Sequence, residues 1–293
     1  MKRSLLYTRG DRIFLLLDGA TLLLIGLVIA YPLWFVVVSS FNGGHANVLI
    51  ALPERWSLEG YRAVFEYRRV WTGYYNSLRY MVLGTSINLA VTICAAYPLS
   101  KRDLFGGSAL MLLFVFTMYF GGGLIPFYLL IRGLGLLDTI WSVLLPGAMS
   151  VYNMIVMRTY FSTQIPDELR EASELDGCGA LRFLLRIVLP LSAPILAVIG
   201  LFYAVGHWNA YFNAMIFISN RALLPLQVFL REILVLNQLD TSGMDPEELL
   251  RLQERADLMR YSLIVVASLP VLALYPLVQR YFVKGMMIGA LKG

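Results

Sequence analysis

The run from Ile13 to about Ser40 carries a single charge, Asp18. At about 1.5 Å per helical residue it is more than long enough to cross a hydrocarbon core of about 30 Å. A cleavable secretory signal has an apolar core of about 7–15 residues before a small-residue cleavage site. This run exceeds that length and offers no clear site, so it reads as a retained span, preceded by Lys2, Arg3, Arg9 and Arg12. Five further apolar segments follow at about 74–99, 108–131, 140–161, 191–219 and 259–280. Only 15% of residues are charged and the mean hydropathy is +0.68. A soluble domain has about 25% charged residues, so the composition selects a polytopic, all-α membrane protein with six transmembrane helices.

Six spans put both termini on one side. That side collects 13 Lys and Arg against eight acids, and the other side 11 against 11. The short flanks Lys2–Arg12 and Lys101-Arg102 are the basic ones, and short basic loops face the cytoplasm. Both termini and the stretch 166–194 are therefore expected in the cytoplasm, with outer loops at 41–73 and 220–257. Gly121-Gly122-Gly123 and Pro126 predict a break or close packing in the third span. Gly26 reads as a packing site. A helix is expected over 226–236 after Pro225, followed by the charged run DPEELLRLQERAD.

Several chemistries are excluded by what the sequence lacks. There is no G-x-x-x-x-G-K-[ST] loop to cradle phosphates. H-E-x-x-H and C-x-x-C are absent, and His45 and His207 are the only histidines, so no metal site is expected. The two cysteines, Cys94 and Cys178, make no disulfide framework. No basic cluster interleaves with aromatics, which removes nucleic acid as a partner. The span interiors hold neutral polar groups instead of charges: Asn88, Tyr97, Tyr152-Asn153 and the run His207–Asn213. Ion- and proton-coupled carriers usually place ionisable residues there. A secondary transporter would also show inverted repeats and half-helices. It stands as the alternative, together with a structural membrane subunit.

The stretch 166–194, PDELREASELDGCGALRFLLRIVLPLSAP, is a long polar-to-amphipathic interruption in this apolar chain. Pro166 and Asp167 suit a helix start, and the early acids suit the helix dipole. Gly177 and Gly179 mark a turn. A second short helix then runs to Pro190. The residues Glu171-Ala172-Ser173, Asp176-Gly177, Ile187, Leu189-Pro190 and Pro194 resemble the EAA loop of binding-protein-dependent ABC importer permeases, E-A-A-x-x-D-G-A followed by I-x-L-P-x-x-x-P. Ser173 and Cys178 replace alanines, small for small. GLIPFYLL, LPGAMSVYNMIVMRTYF, FYAVGHWNAYFNA, PLQVFLREIL and YFVKGMMIGALKG are similar to the maltose-type carbohydrate-uptake permeases, in the branch labelled LplC or YtcP. Within it the chain looks closest to permeases of alginate-oligosaccharide importers.

The resemblance implies a non-catalytic, multi-pass subunit of the bacterial plasma (inner) membrane. Its implied partners are a second homologous permease, two ATPase subunits, an extracytoplasmic solute-binding protein and an oligosaccharide substrate. ATP and Mg would lie on the ATPases, with no cofactor on this chain. Glu171, Ala172, Ser173, Asp176, Gly177, Ile187 and Pro190 are then the ATPase-coupling residues, with Phe183 and Leu184 as anchors. Without the resemblance the same loop reads as a solvated one. Tyr152, Asn153, His207, Trp208, Asn209, Tyr211 and Asn213 are candidates to line the sugar pathway by stacking and hydrogen bonding, or else to glue helices together. The loop 220–257 is expected to reach the solute-binding protein, and the tail near Lys284-Gly285 and Gly293 the ATPase. Arg55, Arg62, Arg68, Arg69, Arg221 and Arg231 would suit an acidic sugar, although acids on the same side balance them.

Overall fold

A computed structural model of the chain describes residues 9–42, 56–235, 258–276 and 279. Much of the outer loop 220–257, part of 41–73 with His45 and Arg55, and the tail containing Lys284, Gly285 and Gly293 lie outside these residues. Regular structure among the described residues is entirely helical apart from an isolated bridge between Asn42 and Trp56. The chain divides into two compact units, Met1–Tyr67 with Ile233–Val266, and Arg68–Glu232 with Ala267–Gly293.

The first unit is dominated by α1, Arg9–Ser39, which is apolar around its circumference and exposed along nearly its whole length. Apolar residues on every side are what a helix in hydrocarbon requires. A Cβ at Gly26 would meet no neighbour within 4 Å, so that glycine makes no close contact among the described residues. The end of α1 is tied down by polar contacts. Ser40 Oγ and the Tyr61 hydroxyl are 2.6 Å apart, and Ser262 Oγ donates to the Ser40 carbonyl at 3.0 Å. Tyr61 belongs to α2, Glu59–Glu66, where Gly60 lets the backbone approach Leu258 and Ser262.

The second unit is built on α3, Arg68–Ser100. One face of α3 is buried at intervals of four: Asn76, Tyr80, Gly84, Asn88, Thr92 and Ala96. Residues i and i+4 lie above one another on a helix, so these form a continuous stripe. Helices α4 (Gly107–Tyr119) and α5 (Leu124–Gly133) meet at a 113° bend. The expected third span is therefore broken, and Gly123 carries the left-handed φ of +82°. A Cβ at Gly121, Gly122 or Gly123 would find open space, so these glycines serve the break and not close packing within the chain.

The expected fourth span, 140–161, is two pieces. A short α6 (Trp141–Leu144) gives way to irregular backbone around Pro146, and α7 runs over Val151–Gln164. Proline lacks the amide donor that would continue the helix. Ser150 caps α7 by accepting from Asn153 N. After α8 (Asp167–Leu175) comes a helical run, α9 (Ala180–Leu191), containing a π turn at Leu184–Val188. It bends by 82° into α10, Ala193–Asn209. Pro190 was expected to end the second helix, but the bend falls at Ser192. Pro190 cannot donate to the carbonyl four residues back, and the π turn before it takes up the changed register. Then follow α11 (Phe212–Phe217), α12 (Leu226–Val235) and α13 (Leu258–Pro276). The structure thus resolves the 191–219 segment into α10 and α11, with extended backbone at Ala210.

Among the described residues three continuous helices, Gly10–Ser39, Arg68–Ser100 and Leu258–Pro276, are long and apolar enough to cross a membrane, or up to five such elements if each bent pair counts as one span. Helices α7 and α10 pack on α3 around a core of Ala96, Leu99, Met154, Met157, Phe161, Ile199 and Tyr203. On the other stretch of α3, Gly73 receives α12 so closely that a Cβ there would stand 2.7 Å from the Phe229 ring and 3.0 Å from Leu226 Cα. Overpacking of this kind costs about 1–3 kcal/mol. Gly73→Val is expected to lower the melting temperature of the purified, detergent-solubilised protein, with Phe229→Leu in the same chain restoring part of the loss.

Candidate functional site

Two features carry functional chemistry. The first is the element running from α8 into α9. Pro166 opens α8, and Asp167 and Glu168 sit in its first turn, where carboxylates meet the positive end of the helix dipole. The helix closes in a Schellman motif. Cys178 N donates to the Ser173 carbonyl at 2.8 Å, and Gly177 N donates to the Glu174 carbonyl at 3.0 Å, with Gly177 at φ +70°. An L-residue in that conformation is strained, which is the physical reason for glycine at this position. Ser173 is buried and donates to the Arg170 carbonyl at 2.7 Å. Glu171, Ala172, Asp176, Gly177 and Pro190 are exposed, and Ile187 is half-buried against the core.

The two halves of this element face different surroundings. Phe183, Leu184 and Val188 of α9 are buried in the same core as Leu99, Met157 and Phe161. By contrast, Leu175 is 90% exposed, and Leu169 and Leu181 are also exposed. Arg170 reaches Asp103 at 3.4 Å and Glu174 at 3.8 Å, linking α8 to the turn that follows α3. Such exposed pairs contribute about 0–1 kcal/mol, so they orient α8 more than they stabilise it. Anchorage comes from the buried apolar side chains.

The second feature is the polar stripe of α3 and what it holds. His207 Nε2 lies 2.9 Å from Asn88 Oδ1, an acceptor, so Nε2 carries the proton. Asn88 Nδ2 in turn donates to the carbonyl of Gly147, in the irregular backbone between α6 and α7. Thr92 Oγ1 and the Tyr203 hydroxyl are 2.7 Å apart, and that hydroxyl accepts from Ser150 N at 3.0 Å. A Cβ at Gly84 would collide with the His207 ring, so glycine makes room for it. Nearer the start of α3, Asn76 Nδ2 donates to the carbonyls of Ala222 and Leu224 at 2.8 and 3.1 Å. Tyr80 donates to Leu223 O at 2.6 Å, and Leu226 N donates to Ser77 Oγ at 2.9 Å.

This seam sorts the seven pathway candidates. Trp208 is buried and donates to the Ala267 carbonyl at 2.9 Å. His207 is occupied by Asn88, and Asn153 is buried at the start of α7. His207 and Trp208 thereby join helices to one another. Tyr152, Asn209 and Tyr211 are exposed, and Asn213 is half-exposed. The guanidinium of Arg231 lies 5.9 Å from the Tyr211 ring centroid, within cation–π range. The seven residues do not converge on one closed site.

Sequence reasoning singled out Asn88 without its role and missed Thr92, Tyr203, Asp138 and Arg158. The signal for the stripe was available in the four-residue spacing of Asn76, Tyr80, Gly84, Asn88 and Thr92 inside an apolar run. Asp138 has a φ of +59° and accepts from Ser219 N and Asn220 N at 2.9 and 2.7 Å, pinning the turn after α11. Arg158 donates to the Leu99 carbonyl at 2.7 Å, placing a cation at the end of α3, where the dipole favours one. No local signal in the sequence announces either contact, because each joins segments far apart in the chain.

Residues 68–288 match the family described as binding-protein-dependent transport system inner membrane component. Two relatives from Bacillus subtilis (strain 168) align along nearly the whole chain. The polygalacturonan/rhamnogalacturonan transport system permease protein YtcP is 36% identical, covering 97% of this chain and 99% of its own. Protein LplC is 37% identical, covering 98% and 97%. A solved chain from the crystal structure of a bacterial ABC transporter involved in the import of the acidic polysaccharide alginate superposes with a TM-score of 0.85. It is 33% identical and covers 95% of this chain and 100% of its own.

The hydrogen bonds of the seam set an order of sensitivity. Asn88→Ala would leave both the Gly147 carbonyl and the His207 ring without their partner. A buried polar group stripped of its partner costs about 1–3 kcal/mol. Thr92→Val leaves Tyr203 still bonded to Ser150 N. Asn88→Ala is therefore expected to lower the melting temperature in detergent more than Thr92→Val, and equal losses would contradict this account.

Proposed function

The chain belongs to the binding-protein-dependent transport system inner membrane component family and is a sugar ABC transporter permease, and from that premise we propose that it forms one half of the path of an acidic oligosaccharide. A permease of this kind is embedded in a membrane and is not itself catalytic. In our reading the chain crosses the bacterial plasma membrane six times with both termini in the cytoplasm. The two bent helix pairs then count as spans, and α6 with α7 completes the set. The short basic flanks support that orientation.

The observation that carries the proposal is the division of the α8–α9 element. Its α9 half is rooted in the core shared by α3, α7 and α10, while its α8 half offers acids beside exposed leucines. Glu171, Asp176 and the exposed Leu175 suit a groove with basic and apolar walls on an ATPase subunit. Ala172, Ser173 and Gly177 keep the surface low, so a partner backbone can come close. Movement of that partner would be passed through Phe183 and Val188 to the helices they touch. ATP and Mg belong to the ATPase pair in this scheme, a solute-binding protein delivers the sugar, and a second homologous permease supplies the other wall. On the pathway side we assign Tyr152, Asn209, Tyr211 and Asn213 to the sugar, because they keep exposed surface. We assign His207, Trp208 and Asn153 to structure. The uronic-acid-rich glycans named for a relative and for the solved neighbour support an acidic substrate.

The direct test is ATPase activity of the reconstituted complex over a panel of neutral and uronic-acid oligosaccharides. Stimulation by uronic-acid chains alone is expected, and stimulation by neutral chains alone would refute the substrate assignment. Gly177→Asp is expected to insert normally yet lose substrate-stimulated ATP hydrolysis, and unchanged stimulation in that variant would sink the coupling role. Tyr211→Ala is expected to reduce sugar uptake while leaving basal ATP hydrolysis and the melting temperature near wild type. Trp208→Phe should do the reverse, losing stability through the bond to Ala267.

A further inference from the structure

We propose that the cavity between the end of α3 and the start of α8 binds a phosphate group, carried by the headgroup of an anionic phospholipid. The cavity has a volume of about 210 Å³ and is walled by Tyr97, Lys101, Arg102 and Asp103 on one side and by Asp167 and Arg170 on the other. Beneath it lie the buried rings of Phe161 and Phe183. It therefore joins an apolar floor to a charged mouth, as a headgroup with a hydrocarbon stem requires.

The charges favour an anion. Arg170 is paired with Asp103, which largely cancels both. Lys101 and Arg102 have no acidic partner among the described residues, and the Lys101 ammonium sits 4.9 Å from the centroid of the Tyr97 ring. Asp167 is the opposing acid. It sits in the first turn of α8, whose N-cap Pro166 offers no side-chain acceptor to the opening amides. Those amides and the dipole behind them attract anions. The Tyr97 ring lines the cavity under the Lys101 ammonium, while its hydroxyl is shielded from solvent.

Depth selects the lipid source. The cavity opens at the end of α3, a helix long and apolar enough to cross a membrane, and in our reading the basic flank Lys101-Arg102 lies at the headgroup level. Basic pockets between helices at that level are recognised binding places for anionic headgroups. The bound group would bridge Lys101 and Arg102 of the α3 end to the first turn of α8, stiffening the element assigned above to coupling. The binding itself is independent of that assignment and of the sugar carried.

The test uses the full-length chain in nanodiscs of phosphatidylcholine alone or with added phosphatidylglycerol, read by native mass spectrometry of retained lipid and by melting temperature. Inorganic phosphate is added to the phosphatidylcholine samples as a separate arm. Lys101→Gln with Arg102→Gln is compared with Arg182→Gln with Arg186→Gln, which removes the same charge from exposed positions outside the cavity. Wild type and the Arg182/Arg186 variant are expected to retain phosphatidylglycerol, and the Lys101/Arg102 variant to lose it on the order of tenfold or more. Stabilisation by inorganic phosphate alone would assign the site to a soluble phosphate and overturn the lipid source. Equal retention in both double variants would overturn the site itself.

Discussion

Backbone polar groups inside a bilayer have no water to bond, and each one left unpaired costs several kcal/mol. The same holds for backbone buried in a protein core, so a chain that breaks its helices in either place must bring its own partners. This one does so from a single face of α3. Asn76, Ser77 and Tyr80 satisfy the backbone from Ala222 to Leu226, and Asn88 with the Thr92–Tyr203 pair satisfies the irregular stretch at Gly147–Ser150. The breaks in α6–α7 and after α11 are thus compatible with burial only because α3 is polar on one stripe and apolar elsewhere. Gly73 and Gly84 on the same helix admit Phe229 and His207 at distances a side chain would forbid.

Such a seam fixes positions while leaving specific surfaces uncommitted. His207 and Trp208 are consumed by the seam, whereas Tyr211 and Asn209, one turn or less away, are not. The same economy operates in the α8–α9 element. Its aromatic and branched residues are committed to the core, and its acids, small residues and leucines are left outward. A helix with only Ser173 buried gains little from its own packing, so α8 depends on its Schellman closure and on α9 for its place. That combination, a lightly packed helix on a firmly rooted neighbour, suits a part that must bear on a partner without unfolding.

Much of this was legible in the sequence because it follows from composition and local chemistry. Runs such as Ile13–Ser40 can only be lipid-facing or core helices, and Gly177 after a helical stretch announces a left-handed closure. The break at Gly121–Gly123 and the helix after Pro225 were readable for the same reason, since glycine and proline act through their own backbone. Boundaries were less legible. Pro190 looked like a terminator, yet the bend lies at Ser192, because a π turn absorbs the missing amide and the surrounding core decides where the helix gives way.

The sequence by itself determined that the chain is helical and membrane-bound, that it lacks a G-x-x-x-x-G-K-[ST] motif, and that its long polar interruption is a helix–turn–helix. Those properties depend on residue type and short-range spacing. Only the tertiary structure decided which polar residues hold the fold and which keep exposed surface. His207 and Asn209 have equal claims in one dimension. They part only when Asn88, more than a hundred residues away, bonds to one of them and leaves the other exposed.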